Sequence, residues 1–376
     1  MKRFLFSLLI SLFCLGVGAQ EIKAGPWVSG ARENSVTILW TSEKPGLAWV
    51  ELEDGSLKYE TFAGRRIFGR LHSICLNGLT PGQVVRYRIG GQVLLDDSNA
   101  RKPVFGGSYN GPWCSVRTFD SGRQSCNFSI FNDIHLRAGD YAKLAAQVDS
   151  AATDFLFLNG DIVSAGNYVL DTLVRYSIEP LGKLPAGLPV MFARGNHEGR
   201  GNAVQLVADV YPEPTPDPFF YTFREGPVAF IVFDAGETGR SRSILFSGGP
   251  VYEDYLREQI DWAAGAMNEA SFRDAPVKIC ILHVPMIDHP DQSDFLLQRW
   301  LNKAFMPMLN AAGIDMMIGA DLHEFMMCEA GTMGNDFPIV INDELKRMEV
   351  LCTADRIVLR TFKPSGKLEW ERVFEL

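Results

Sequence analysis

The sequence predicts a two-part chain: an all-β sandwich over residues 20–120, then a layered α/β domain over residues 121–376. Two observations carry this. Up to about residue 119, short β-rich runs are separated by Pro/Gly turns at an even spacing. From about residue 126, apolar strands alternate with helical stretches, and several of those strands hand off to His, Asp or Asn at their carboxyl ends. With 376 residues, 47% hydrophobic and 22% charged, the chain is long enough for one large domain and one small one.

Residues 1–19 stand apart from both. Lys2 and Arg3 form a positive start, residues 4–15 an apolar run, and Val17, Gly18 and Ala19 a small-residue cleavage site before Gln20, the pattern of a signal peptide. The expected location of the mature chain is therefore periplasmic or secreted. A membrane anchor is the alternative, but the run is short and no second span follows, so no transmembrane segment is expected. The bulky Phe13 before Cys14 argues against lipidation. Removing Lys2 and Arg3 takes the net charge from −9 to −9 − 2 = −11, which argues against nucleic acid as a partner. An acidic chain that binds anions needs a local positive charge. Export permits disulfides among Cys75, Cys114, Cys126, Cys280, Cys328 and Cys352, but their spacing fixes no pairing and matches no zinc ribbon. Cys280, inside an apolar run, reads as a buried thiol.

In the first part, residues 35–41, 47–52, 71–76 and 84–89 read as strands, separated by turn signals at Lys44, Pro45 and Gly46, at Asp54, Gly55 and Ser56, and at Thr80, Pro81 and Gly82. That spacing fits a sandwich of immunoglobulin or fibronectin type III style. Trp40 reads as core packing. In the second part, the strand at 128–131 runs into Asp133 and His135, and a helical stretch follows over 141–150. The strand at 155–158 runs into Asn159, Gly160 and Asp161, and that at 188–192 into Gly195, Asn196, His197 and Glu198. The strands at 228–233, 279–282 and 316–318 end at Asp234, at His283, and at Asp321 and His323. Of the 6 histidines, four therefore sit just past a predicted strand. His72 falls in the first part and reads as structural; His289 is unassigned. Imidazole with carboxylate and amide oxygen suits borderline metals rather than a thiolate site. A bridging carboxylate between two such ions fits a two-metal hydrolase.

Asp133, Ile134 and His135; Gly160 and Asp161; Gly195, Asn196, His197 and Glu198; His283, Val284 and Pro285; and Gly319, Ala320, Asp321, Leu322 and His323 resemble, in order, the five blocks of the calcineurin-like metallophosphoesterase superfamily. The resemblance covers residues 127–376, including the 220–234 and 255–262 stretches between the third and fourth blocks. It implies two mixed sheets sandwiched together with flanking helices. It also implies two divalent or mixed-valence metal ions, of manganese, zinc or iron. Asp133, His135, Asp161 and His323 would hold one; Asp161 as the bridge, with Asn196, His283 and Asp321, would hold the other. His197 would sit beside the substrate as acid or transition-state stabiliser and Glu198 would orient it, with metal-bound hydroxide as nucleophile. Trp40, the run from Leu79 to Gly82, and Tyr87 to Gly90 resemble the N-terminal sandwich of purple acid phosphatases, although Val85 stands where a corner tyrosine is often found.

Three departures bear on the site. The purple type has a metal-binding tyrosine three residues after the bridging aspartate, where this chain has Ser164, and it lacks a histidine in the first block, where this chain has His135. Both point to the ordinary, non-purple ligand set. The last block, which normally carries two histidines, has Asp321 for the first. With Asp133, Asp161 and Asp321 against two divalent ions the sum is 4 − 3 = +1, where a histidine at 321 would leave +2, and the lower charge favours diesters over doubly charged monoesters. The expected function is an exported metal-dependent phosphoesterase acting on a small phosphorylated substrate. The rival is an anion- or partner-binding protein with a degenerate metal site in which Asp321 faces solvent. Substrate, ester class, metal identity and oligomeric state are open; specificity falls to the loops at 162–177, 202–218, 236–252 and 286–295.

Overall fold

The computed structural model describes residues 21–164, 166, 168–215, 217–237, 251–287 and 296–376. The expected signal peptide at 1–19, His289 and most of the 236–252 and 286–295 loops lie outside the described residues.

The chain opens with β1 (Ile22–Ser29), β2 (Ser35–Leu52), β3 (Leu57–Tyr59), β4 (Thr61–Phe62), β5 (Arg65–Arg66), β6 (Phe68–Asn77), β7 (Val84–Asp96), β8 (Val104–Asn110) and β9 (Cys114–Arg117). All but β4 and β5, which pair with each other, belong to one seven-stranded sheet. β2 runs unbroken where the sequence predicts two strands about a turn. Its first half pairs with β1 and β6; β6 continues to Leu47, β7 joins from Gly46 and β3 from Trp49. Five residue steps on β2, Thr41 to Gly46, face two on β6, Leu71 to Gly69. The turn signal has become a bulge, with its exposed residues looped out of the ladder.

Two six-stranded sheets follow. The first has the order β12 (Val190–Ala193), β11 (Phe155–Asn159), β10 (Ser125–Phe131), β19 (Arg347–Thr353), β20 (Arg356–Phe362), β21 (Leu368–Glu375). The second has the order β13 (Tyr221–Glu225), β14 (Val228–Val232), β15 (Val277–Ile281), β16 (Met316–Gly319), β18 (Ile339–Ile341), β17 (Met326–Cys328). Each is mixed. β10, β11 and β12 are parallel, as are β14, β15, β16 and β18, while the remaining neighbours are antiparallel.

The sheets face each other across one core. Phe128 stacks on Phe155 at 4.8 Å and meets the edge of Phe230, from the other sheet, at 5.2 Å. On the outer face of the first sheet, Leu156, Leu158 and Phe192 pack with α1 (Ala138–Ala145), α2 (Leu170–Ser177) and α3 (Val204–Val210). On the outer face of the second, Ile231, Cys280 and Met317 pack with α4 (Tyr252–Ala266), α5 (Ala270–Arg273) and α6 (Leu296–Ala312). Continuous apolar strands are what burial on both faces requires, and β11, β12 and β14 have every residue buried. The layering is the one expected from the resemblance, and Cys280 is buried as expected.

The N-terminal sheet shares this core. Val28, Val36, Tyr87 and Phe119 belong to the same buried cluster as Phe128 and Phe230. Trp27 Nε1 donates to Val210 O (3.1 Å) and Ser29 Oγ to Val190 O (3.1 Å). Arg32 pairs with the buried Glu213 at 2.6 Å.

Candidate metal centre

The carboxyl ends of parallel β10, β11, β12, β15 and β16 open on one spot, and every ligand predicted from sequence lies in the loops there. Eight non-glycine residues among those described have positive φ. Five of them are candidate ligands: Asp133 (50°), His135 (47°), Asp161 (53°), Asp321 (69°) and His323 (56°). Side chains tolerate this conformation at about 1 kcal/mol or more each, so the strain is concentrated where the loops must turn their donors inward. Gly160 and Gly195 allow the crowding. A Cβ on Gly160 would lie 2.5 Å from the His283 ring, and one on Gly195 would lie 2.2 Å from Asp161 Oδ1.

Three donor groups assemble with their ligand atoms within 4.8 Å of one another: Asp133, His135 and His323; His135, Asp161 and His197; Asp133, Asp161 and His283. His135 Nε2 lies 3.7 Å from both Asp133 Oδ1 and Asp161 Oδ2, and 3.1 Å from His323 Nε2, which is 3.2 Å from Asp133 Oδ1. His283 Nε2 lies 3.4 Å from Asp161 Oδ2 and 3.7 Å from Asp321 Oδ1. Asp321, one route to a degenerate site if solvent-facing, has a side chain only 10% exposed, and its N–H donates to Asp133 Oδ2.

Hydrogen bonds to the rest of the fold aim these groups. His283 Nδ1 donates to the Asn159 carbonyl at 2.7 Å, which leaves Nε2 facing the carboxylates; burial works to lower the ring, but Asp161 and Asp133 push it well above its usual range, so Nε2 holds a proton that a bound ion would displace. Asn196 donates its Nδ2 to Glu237 at 3.1 Å and keeps its buried Oδ1 without a hydrogen-bond partner. Asp133 Oδ2 accepts from Asn132 Nδ2 at 2.8 Å, and Asn132 is itself tied to Asn342. Asp133 Oδ1, Asn196 Oδ1 and His283 Nε2 are buried without a hydrogen-bond partner, and the first and last lie 3.9 Å apart. A buried oxygen left unpaired costs about 1–3 kcal/mol, and a metal ion that displaced the His283 proton would satisfy the oxygens and the ring nitrogen together.

The electrostatics agree. Burial works to raise the Asp133 carboxyl, but His283 and the neighbouring His135 and His323 imidazoles hold it well below the usual range. Asp161 is also lowered against its burial, chiefly by His283. Burial pushes Asp321 up to about 7, opposed by His283 and reinforced by Asp161 and Asp133, so without further positive charge the third carboxylate resists ionising.

Glu198 differs from expectation. Its two oxygens accept four backbone N–H groups, from Asp161, Ile162, Val163 and Gly195, at 2.8–3.2 Å. It pins the Asp161 loop to the Gly195 loop instead of orienting His197. Burial pushes its carboxyl up to about 7, with Asp161 adding to the rise. His197 is held by its own N–H on Asp161 Oδ1 (3.0 Å), and its Nε2 accepts from Arg200 Nη1 at 2.8 Å. Burial lowers His197, and Arg200 adds to this, so the ring is a neutral imidazole here.

Arg200 places a positive group beside His197, and its role is not legible from the strand-end pattern that marks the other site residues. Glu237, buried at 1% exposure, holds Arg200 through a two-point fork (Nε 2.7 Å, Nη2 2.8 Å) while gripping Asn196. The one signal in sequence is that Arg200 closes the same loop as Asn196 and His197; Glu237 lies on another strand's loop and carries none.

Residues 127–325, more than half of the 376, match the family model described as calcineurin-like phosphoesterase. The chain belongs to that family. Its fold is similar to that of a purple acid phosphatase from seeds of yellow lupin, Lupinus luteus, with a TM-score of 0.63 and 13% identity over 95% of this chain and 74% of the lupin chain. It is also similar to a dimetal phosphatase from Danio rerio, with a TM-score of 0.49 and 14% identity over 66% of this chain and 98% of the other. No curated protein sequence matches it. Among the described residues no helix is long and apolar enough to cross a membrane.

Proposed function

We propose that the chain is an exported, dinuclear-metal phosphoesterase acting on small phosphorylated substrates. The observation that carries this is the three overlapping groups formed by Asp133, His135, Asp161, His197, His283 and His323, with ligand atoms within 4.8 Å in each group and Asp133 Oδ1 and His283 Nε2 buried and unpartnered. The donor set fits two ions. Asp133, His135, Asp161 and His323 would hold one, and Asp161, Asn196, His283 and Asp321 the other, with manganese, zinc or iron suited to such nitrogen and oxygen donors. Bound there, the ions would supply an activated water and positive charge against the phosphoryl oxygens. His197, 3.7 Å from Asp161 Oδ2, faces where the ester would lie. With Arg200 on its Nε2 it offers a polar wall for the transition state rather than a stored proton. Glu198 and Glu237 act through other residues, the first by fixing the Asp161 loop and the second by fixing Asn196 and Arg200.

The N-terminal part, residues 20–120, is read as a fibronectin III-like module of the purple acid phosphatase type. Supporting this is the bulge in β2, after which β7 joins β6 as its neighbour. The lower charge that Asp321 gives the centre favours diesters over monoesters. The test is metal content of the mature chain with hydrolysis of a generic phosphate monoester and diester, alongside His197→Ala. About two metals per chain, with turnover lost in the variant, supports the reading. One metal or none, with no turnover after manganese, zinc or iron is supplied, would favour an anion-binding protein instead.

A further inference from the structure

We propose that the β4–β5 hairpin docks the protein on an anionic lipid surface. Thr61 pairs with Arg66 and Phe62 with Arg65 across a two-residue turn. Both turn residues, Ala63 and Gly64, have positive φ, the tight geometry that matches strand twist. Residues 61–68 are all exposed. Phe62 is 75% exposed at the tip, with Ile67 at 40% and Phe68 at 42% behind it. The Phe68 ring meets Phe105 at 6.0 Å, which joins the hairpin to the end of β7 and β8, where Leu95 and Val104 are also exposed. Apolar side chains gathered on a projecting hairpin mark an interaction site rather than scattered surface residues.

The charge says which kind. Residues 57–70 hold Lys58, Arg65, Arg66 and Arg70 against Glu60, 4 − 1 = +3, in a chain of net −9. Arg70 and Glu60 are engaged inward, with Asp171 at 2.6 Å and His72 at 3.0 Å. Lys58, Arg65 and Arg66 remain on the exposed side, where Arg66 lies 4.1 Å over the Tyr59 ring. An anionic bilayer repels the rest of the molecule and attracts this hairpin, so the two forces orient it tip first. Phe62 and Ile67 then enter the headgroup boundary while the cations meet lipid phosphates. Neither contribution suffices alone, and the hairpin carries both. Nothing in this arrangement depends on the chemistry of the metal centre.

The experiment is co-sedimentation of the full mature chain with vesicles of phosphatidylcholine, with and without phosphatidylglycerol. Binding to the anionic vesicles at low salt, with release at high salt, is expected. Arg65→Gln and Arg66→Gln should each weaken it about fivefold, and Phe62→Ser about tenfold. These positions are exposed, so unchanged thermal melting should show that the variants are folded. Absence of binding at low salt, equal binding to both vesicle types, or variants that bind like the wild type would each overturn the proposal; the first would leave an acidic protein as the hairpin's partner.

Discussion

Asp161 has a strained backbone, three histidines within 3.7 Å of its Oδ2 and a loop held by Glu198, so the weak point of the centre is a residue that touches no substrate. Glu198→Gln replaces one acceptor oxygen with a donor facing backbone N–H groups. It should lower stability by about 2–3 kcal/mol and metal affinity by about 10–100-fold, read by denaturant unfolding of the metal-free chain and by metal titration. Arg200→Met should behave differently: melting falls, because the buried Glu237 loses its charge partner at a cost of about 3–5 kcal/mol, while metal content stays close to wild type and KM rises about tenfold as a guanidinium beside His197 is lost. A loss of metal instead of a rise in KM would mean that Arg200 serves only to brace Glu237. These two roles also show how far the sequence could be read. Asp133, His135, Asn196, His283 and His323 are legible because their chemistry sits at predicted strand ends. The task of Glu198 is not, because three of its four partners are main-chain N–H groups of a loop 35–37 residues away, and side-chain identity says nothing about where those point.

At the scale of elements, the site depends on parallel strands ending level and on two glycines that let their loops touch. Gly195→Ala would drive a methyl to 2.2 Å from Asp161 Oδ1, and Gly160→Ala would meet the His283 ring at 2.5 Å while sitting at a φ of 75°. Each should abolish turnover while far-ultraviolet circular dichroism stays native, since both loops lie outside the sheets' cores. The layered α/β part was predictable because its strands are uninterrupted apolar runs. The break predicted in β2 was wrong for a physical reason: Pro45 and Gly46 signal a turn locally, but β6 and β7 hydrogen-bond to the residues on either side and carry the strand through.

For the whole molecule, the shared core means that the N-terminal sheet is not an appendage. Residues 121–376 expressed alone should lose cooperative unfolding or solubility, since Phe128 and Phe230 would lose Val28, Tyr87 and Phe119 from their cluster. The Arg32–Glu213 contact across that junction gives the molecule a pH dependence. Burial pushes Glu213 up to about 7 from 4.5, outweighing Arg32. A carboxyl raised in the folded state stabilises it when protonated; that contribution is complete below pH 4.5 and is lost as pH rises through 7. Glu213→Gln should remove at most about 3 kcal/mol of this slope, measured as unfolding free energy against pH in both proteins. The loops that form the metal centre have a consequence of their own. Its donors are drawn from residues 133 to 323, each loop placed by a different strand, so no fragment and no partly folded intermediate presents the full set. Metal uptake is thus a certificate of completed folding: a chain with one strand out of register stays empty, and the ions close only around a molecule that has already assembled itself.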